Sequence, residues 1–274
     1  MKKNMIKYSI MIYVVFFVLF LLTGLVSTFV TSNPVVMQGM VTVCSWTATI
    51  VLMVMFPRLV KDQTRKEFVK SLFEERLSWR LIAWILVVQL AIFIICVGVV
   101  SLYHHEPIWQ FLNGSLGSIA GGFFVQLIGG PLGEEPAYRG FTLPYMQKEC
   151  GVIKAGLITG VIWGMWHLPL WLISGYKGLA LLLYCVSFLV PIVACSIVMS
   201  VIYKYRKNLV YAILIHQMVN FSLDILYTGD LLEIFVPFAV LYVLAAGIIV
   251  LWFLHKERSN TFRLALERNS VISE

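Results

Sequence analysis

Apolar runs of about 17–25 residues, the length that crosses a hydrocarbon core, alternate with short polar connectors along this chain. Eight can be read, at approximately Tyr8 to Thr31, Val35 to Phe56, Leu81 to Leu102, Ser115 to Leu132, Val152 to Ile173, Leu179 to Tyr203, Leu209 to Leu226 and Leu231 to Leu254. The pattern predicts an all-α, polytopic membrane protein with about eight transmembrane helices. Its connectors are asymmetric. Lysine and arginine crowd the segments 2–7, 58–80, 139–154, 204–207 and 256–268, whereas Lys177 stands alone on the other side. Cytoplasmic loops collect Lys and Arg, so the bias predicts an even number of crossings with both ends in the cytoplasm.

Between the second and third runs, Arg65 to Arg80 mixes charges with Phe68, Val69, Leu72, Phe73 and Leu77. Val69, Phe73 and Leu77 recur every four residues, the spacing of an amphipathic helix lying on the cytoplasmic surface. A solvated charged loop is the plainer alternative. The first run follows lysines, as a secretory signal would, but it is too long and lacks a clear small-x-small cleavage site, so it reads as an uncleaved anchor.

Composition agrees with the pattern: 60% of the 274 residues are hydrophobic and only 13% are charged. Removing the apolar runs leaves no room for a large extramembrane unit, so residues 1–274 are expected to form a single transmembrane domain. The net charge of +7 could suggest nucleic acid. No basic, aromatic-interleaved soluble patch accompanies it, and topology explains it better: the lipid bilayer is the expected partner, and nucleic acid is not. Cys44, Cys96, Cys150, Cys185 and Cys195 are scattered, mostly in apolar segments, and form no CxxC pair. They read as small buried hydrophobes, with no zinc cage or disulfide framework.

Against this background a few polar groups stand out. Glu134-Glu135-Pro-Ala-Tyr-Arg139, His167, and His216-Gln-Met-Val-Asn220 lie inside or beside spanning segments. Ionisable groups at that depth cost about 2.5–3.5 kcal/mol each on insertion scales and mark functional sites by default. Glu135 and Arg139 are four apart and would meet on one helical face, leaving Glu134 on a neighbouring face, free to act as a general base. His216 and Asn220, also four apart, present donors and acceptors to one interior point. The bland alternatives are interfacial acids balanced by Arg139, a packing histidine beside Trp163 and Trp166, and polar glue between helices. Three separate crossings each supplying such groups is harder to explain as glue.

Depth is a check on convergence. His167 lies roughly 20 Å along its helix from Lys154, and His216 and Asn220 roughly 13–20 Å from Lys207, at 1.5 Å per residue. For Glu134 to join them, the fourth helix must continue past Pro136 towards Gln147, kinked by Gly129, Gly130, Pro131 or Pro136. A shared cavity should then open towards the cytoplasm or laterally between helices.

The Glu134-Glu135-x-x-x-Arg139, His167 and His216-x-x-x-Asn220 elements resemble the three signature motifs of the CPBP intramembrane proteases, the family of type II CAAX prenyl endopeptidases and of bacterial Abi proteins linked to bacteriocin maturation and self-immunity. The resemblance covers roughly Gly121 to Asn220, within a catalytic core of residues 115–226. Trp163 departs from it, where the family usually has phenylalanine four residues before the histidine. The resemblance implies an intramembrane endopeptidase in which Glu134 activates water, His167 helps to hold it, and His216 and Asn220 stabilise the oxyanion, with Glu135 and Arg139 in support. Its implied substrate is a membrane-associated peptide or protein.

A metal-independent site is favoured, because a hydrogen-bonded glutamate and water with His and Asn donors fits the chemistry. Zinc held by Glu134, His167 and His216 is the alternative. No His-Glu-x-x-His helix is present, and Gly114-Ser115-Leu116-Gly117-Ser118 lies at the external end of a crossing, so zincin and rhomboid-like mechanisms are not supported. Two other classes stay open: a non-catalytic immunity factor or membrane scaffold on the same fold, and proton-coupled transport, against which the lack of inverted repeats argues. The expected setting is the bacterial cytoplasmic membrane.

Overall fold

The computed structural model describes residues 2–226 and 230–272. Among them every extended element is helical, with one isolated bridge, between Leu112 and Leu226. The chain is an all-α polytopic membrane protein. Helices α1 (Lys2–Phe29), α5 (Trp79–His104), α11 (Gly178–Tyr205) and α13 (Leu232–Ile272) are long and apolar enough to cross a bilayer. α2 (Pro34–Ser45) and α3 (Thr47–Leu59) are long and apolar enough only when taken together, with a bend of 44° between them. Trp46 sits at that bend and donates its indole N–H to the carbonyl of Ile128 at 2.7 Å.

The segments expected as the remaining three crossings are folded as shorter pieces. α6 (Leu116–Gly129) and α9 (Val152–Met165) have 14 residues each and α12 (Val210–Ile225) has 16, below the roughly 20 needed for a full span. α6 is continued by α7 (Pro131–Ala137), a wide helical turn at Tyr138–Thr142 and α8 (Leu143–Cys150), and α9 by α10 (Leu168–Leu172). The segment expected as the fourth crossing is thus long and broken. Its break falls at Gly130, while Pro136 is carried inside α7. Such interruptions persist at membrane depth because surrounding protein satisfies the backbone.

Close packing of α9 against α11 fixes the centre of the bundle. Gly156, Gly160 and Gly164 repeat every four residues, and a Cβ at Gly160 would lie 2.8 Å from Val193 Cα and 2.9 Å from Ser196 Cβ. Small residues at this spacing let two backbones approach as side chains would not allow.

Both ends of the bundle are tied. At the Lys- and Arg-rich end, Asn4 donates to the Arg58 carbonyl, Gln147 to the Ser200 carbonyl, and Tyr205 to Glu257. At the other end, Asn113 N–H donates to the Ile225 carbonyl, His104 pairs with Glu233, and Tyr176 donates to Asp230.

The surface helix between the second and third crossings forms as α4 (Arg65–Ser71), capped by Thr64 and Glu67, but it stops well short of Arg80. Its buried residue is Phe68, with Leu72 one turn on, whereas Val69 and Phe73 are each 43% exposed. Tertiary bonds end the helix: Asn208 Nδ2 donates to the carbonyls of Phe73 and Glu75, and Leu209 N–H to that of Leu72. All five cysteines are free thiols, and Cys44, Cys96 and Cys195 are buried.

Candidate active site

Consecutive residues on α7 point about 100° apart, so Glu134 and Glu135 enter different surroundings. Glu135 is fully buried and accepts two bonds on one oxygen, from Arg139 Nη1 at 3.0 Å and from His216 Nδ1 at 2.8 Å. Arg139 is fully buried as well, and its guanidinium carbon lies 3.9 Å from the centre of the Trp163 ring. Arg139 Nε and Nη2 have no hydrogen-bond partner among the described residues, which leaves the indole face as their compensation.

Glu134 is 4% exposed and accepts a 2.5 Å hydrogen bond from Trp163 Nε1. A bond of this kind to an ionised carboxylate is about twice as strong as a neutral one. The same indole ring packs edge-on against the imidazole of His216, with centres 4.8 Å apart. Trp163 therefore touches the outer carboxylate, the buried arginine and one histidine at once.

His216 is held at both nitrogens. A carboxylate only accepts, so Nδ1 carries the proton shared with Glu135. Nε2 lies 3.2 Å from Asn220 Nδ2, one turn further along α12. This close approach depends on Gly130 at the break in the fourth crossing, where a Cβ would stand 2.7 Å from that amide nitrogen. His167 stands between α9 and α10, as the cap residue of α10; its Nδ1 donates to the Trp163 carbonyl at 3.1 Å and its ring packs between Trp166 and Phe188. Nε2 is then the nitrogen with a free lone pair.

Glu134, His167, His216 and Asn220 all line one cavity of about 250 Å³, whose other walls are largely aromatic and aliphatic. Glu135 and Arg139 stand behind it. Helices α7, α9 and α12 thus bring together the four residues singled out as reactive and keep the two supporting ones out of the cavity. Around the site Tyr8, Leu52, Leu143 and Leu209 are fully buried.

The alternative zinc set would need Glu134, His167 and His216 to meet at one point. Among the described residues no three His, Cys, Asp or Glu side chains converge in that way. As arranged, the donor set does not fit a metal, since Nε2 of His216 is engaged with Asn220 and Glu134 with the indole.

Two features go beyond the sequence reading. Trp163 is part of the site, and the signal for it was its place one helical turn before His167. His216 answers to Glu135 rather than to Glu134, a pairing between distant segments that spacing alone does not contain.

Residues 116–222, which hold all three motifs, match the family model described as type II CAAX prenyl endopeptidase Rce1-like. A protein named CAAX prenyl protease 2, from Methanococcus maripaludis, is 26% identical over 122 residues, which are 43% of this chain and 45% of that relative. The match therefore spans about half the length of the curated relative.

Proposed function

We propose, from the premise that the motif-bearing segment of this chain is of the CPBP intramembrane protease family, that the protein is an intramembrane endopeptidase acting on a membrane-associated peptide or protein. The observation that carries this reading is the single cavity on which Glu134, His167, His216 and Asn220 converge. Glu134 takes a proton from water as the oxygen attacks a peptide carbonyl carbon, the role of a general base. His167 holds the water through its free Nε2. The developing oxyanion is met by the Asn220 amide, which His216 orients through Nε2 while Glu135 holds Nδ1. On collapse the C–N bond breaks, and the proton held by Glu134 passes to the leaving amine. Pre-aimed donors of this kind usually supply the largest share of rate enhancement. No metal takes part in this scheme.

Purified protein reconstituted in liposomes, incubated with a library of internally quenched apolar peptides, tests the reading. Cleavage by the wild type and its loss in a folded Glu134→Gln variant is the expected result. Equal cleavage by both, or by neither across the library, would overturn it.

A further inference from the structure

Glu134 is placed by two tryptophans, of which Trp163 holds only the carboxylate. The other is Trp46, which acts on the backbone. Gly130 has φ −143° and ψ −92°, which takes the chain out of the helical ladder between α6 and α7, and Pro131 brings no N–H to restore it. A carbonyl beside such a break needs another donor at membrane depth. Trp46 Nε1 donates to the carbonyl of Ile128, just before the break, at 2.7 Å. The same indole ring lies on Gly133, just after the break, where a Cβ would stand 2.6 Å from Trp46 Cδ1, 2.8 Å from Cγ and 2.9 Å from Nε1. One side chain therefore grips both sides of the break. Gly133 immediately precedes Glu134, and the amides of both bond to the Gly130 carbonyl, at 2.9 and 3.0 Å. The angle at Gly130 thus decides where Glu134 leaves the backbone. α7 packs more on α3 than on α2, so the grip belongs to the α3 side of the joint at Trp46.

We propose that Trp46 is a positioning residue for Glu134: by holding Ile128 and Gly133 at a fixed angle across the break, it sets the point from which the carboxylate reaches Trp163 Nε1 and the cavity. The inference rests on the proposed protease reading for its catalytic consequence, while its geometry stands apart from turnover. Trp46 does not line the cavity, so its effect passes through the backbone alone. A misplacement of about 1 Å at a reacting group can cost about 10²-fold in rate, and the hydrogen bond from Trp163 fixes a direction for the carboxylate without fixing the chain behind it. The contact also explains the glycine at 133. Its backbone is helical, where alanine is ordinarily the better residue; the ring of Trp46 is what excludes a methyl group.

Kinetics and carboxyl labelling of the full chain in liposomes test it together. Trp46→Phe keeps a ring on Gly133 and removes the donor, whereas Gly133→Ala drives the ring away. In each, kcat on a quenched peptide should fall by about 10–100-fold with KM within about twofold, the mark of an interaction lost at the transition state. In a Trp46→Ala background Gly133→Ala should cost nothing further, because its methyl group then meets no ring, and such non-additivity marks residues in contact. Dicyclohexylcarbodiimide, an apolar reagent for carboxyl groups inside membranes, reads the position of Glu134 without turnover. Its modification of Glu134, scored by mass spectrometry against Glu233 in the same protein, should rise by about fivefold or more in Trp46→Phe, since a residue released from a fixed geometry samples open ones. Additive effects in the cycle, or wild-type labelling of Glu134 in both single variants, would overturn the proposal, and so would activity that falls only in step with the folded fraction. If the Trp46→Ala background does not fold, Trp46→Phe carries the kinetic and labelling arms. A wild type that cleaves no peptide would sink the protease reading, and the labelling would then decide the positioning role by itself.

Discussion

Trp163 donates its indole N–H to Glu134 at 2.5 Å while the face of the same ring lies 3.9 Å from the guanidinium carbon of Arg139. One side chain thereby sets the aim of the proposed base and shelters the cation that neutralises its neighbour. Replacing it separates the two jobs. Trp163→Phe keeps an aromatic face for Arg139 and removes the donor, and a hydrogen bond to a charged group contributes about 1.5–3 kcal/mol. Peptide cleavage should fall by about 10–100-fold with little change in melting temperature. A variant that cleaves normally would show that the bond does not position the carboxylate.

Glu134→Gln retains shape and hydrogen bonding but cannot accept a proton. Cleavage should drop by about 10²–10⁴-fold, the usual span for general-base catalysis, while melting in detergent stays within a degree or two of wild type. Normal turnover by the folded variant would move the base elsewhere.

Arg139→Ala strands Glu135 inside the bundle, and breaking one partner of a buried pair costs about 3–5 kcal/mol. Thermal melts should show a large loss of stability. A Glu135→Gln, Arg139→Met double variant should regain part of it, because the glutamine still accepts from His216 and no bare charge is left. Single and double variants that melt alike would count against the pairing.

Gly160→Ala places a methyl group against the backbone of α11 and should destabilise by about 1–3 kcal/mol, as overpacking does. Gly247→Ala on α13 is the control, since nothing lies within 4 Å of a Cβ there. The comparison is made by detergent-extracted melting; equal melting of the two variants would mean that the α9 to α11 seam tolerates separation.

Chelation addresses the metal question directly. Cleavage by the reconstituted protein should persist after dialysis against a strong divalent-metal chelator, and loss of activity restored by zinc would require a rearranged site.

Much of the fold was legible because hydrophobic length and charge bias are local signals that survive in a single sequence. The Glu135 and Arg139 pair was legible for the same reason, being four residues apart on one helix. What escaped depends on contacts between distant segments. Trp163 looks in sequence like any aromatic in a crossing, and only the approach of α7 makes its N–H a ligand of Glu134. In the surface helix two apolar stripes compete at the same spacing; Phe68 and Leu72 turn inward because Phe56 and the flat surface at Gly140 lie beneath them. Asn208 then takes the carbonyls that would have continued the helix.

The glycine seam between α9 and α11 constrains how the protein can breathe. Two helices whose backbones touch have no side-chain cushion across which to slide, so the element carrying Trp163 and leading to His167 behaves as a fixed post. Any widening that admits a polypeptide must come from the walls opposite that post. α2 is the wall with a joint already in it, bent at Trp46 and held to Ile128 through one indole hydrogen bond. A door hung there could swing without disturbing the carboxylates, which stay anchored to the post.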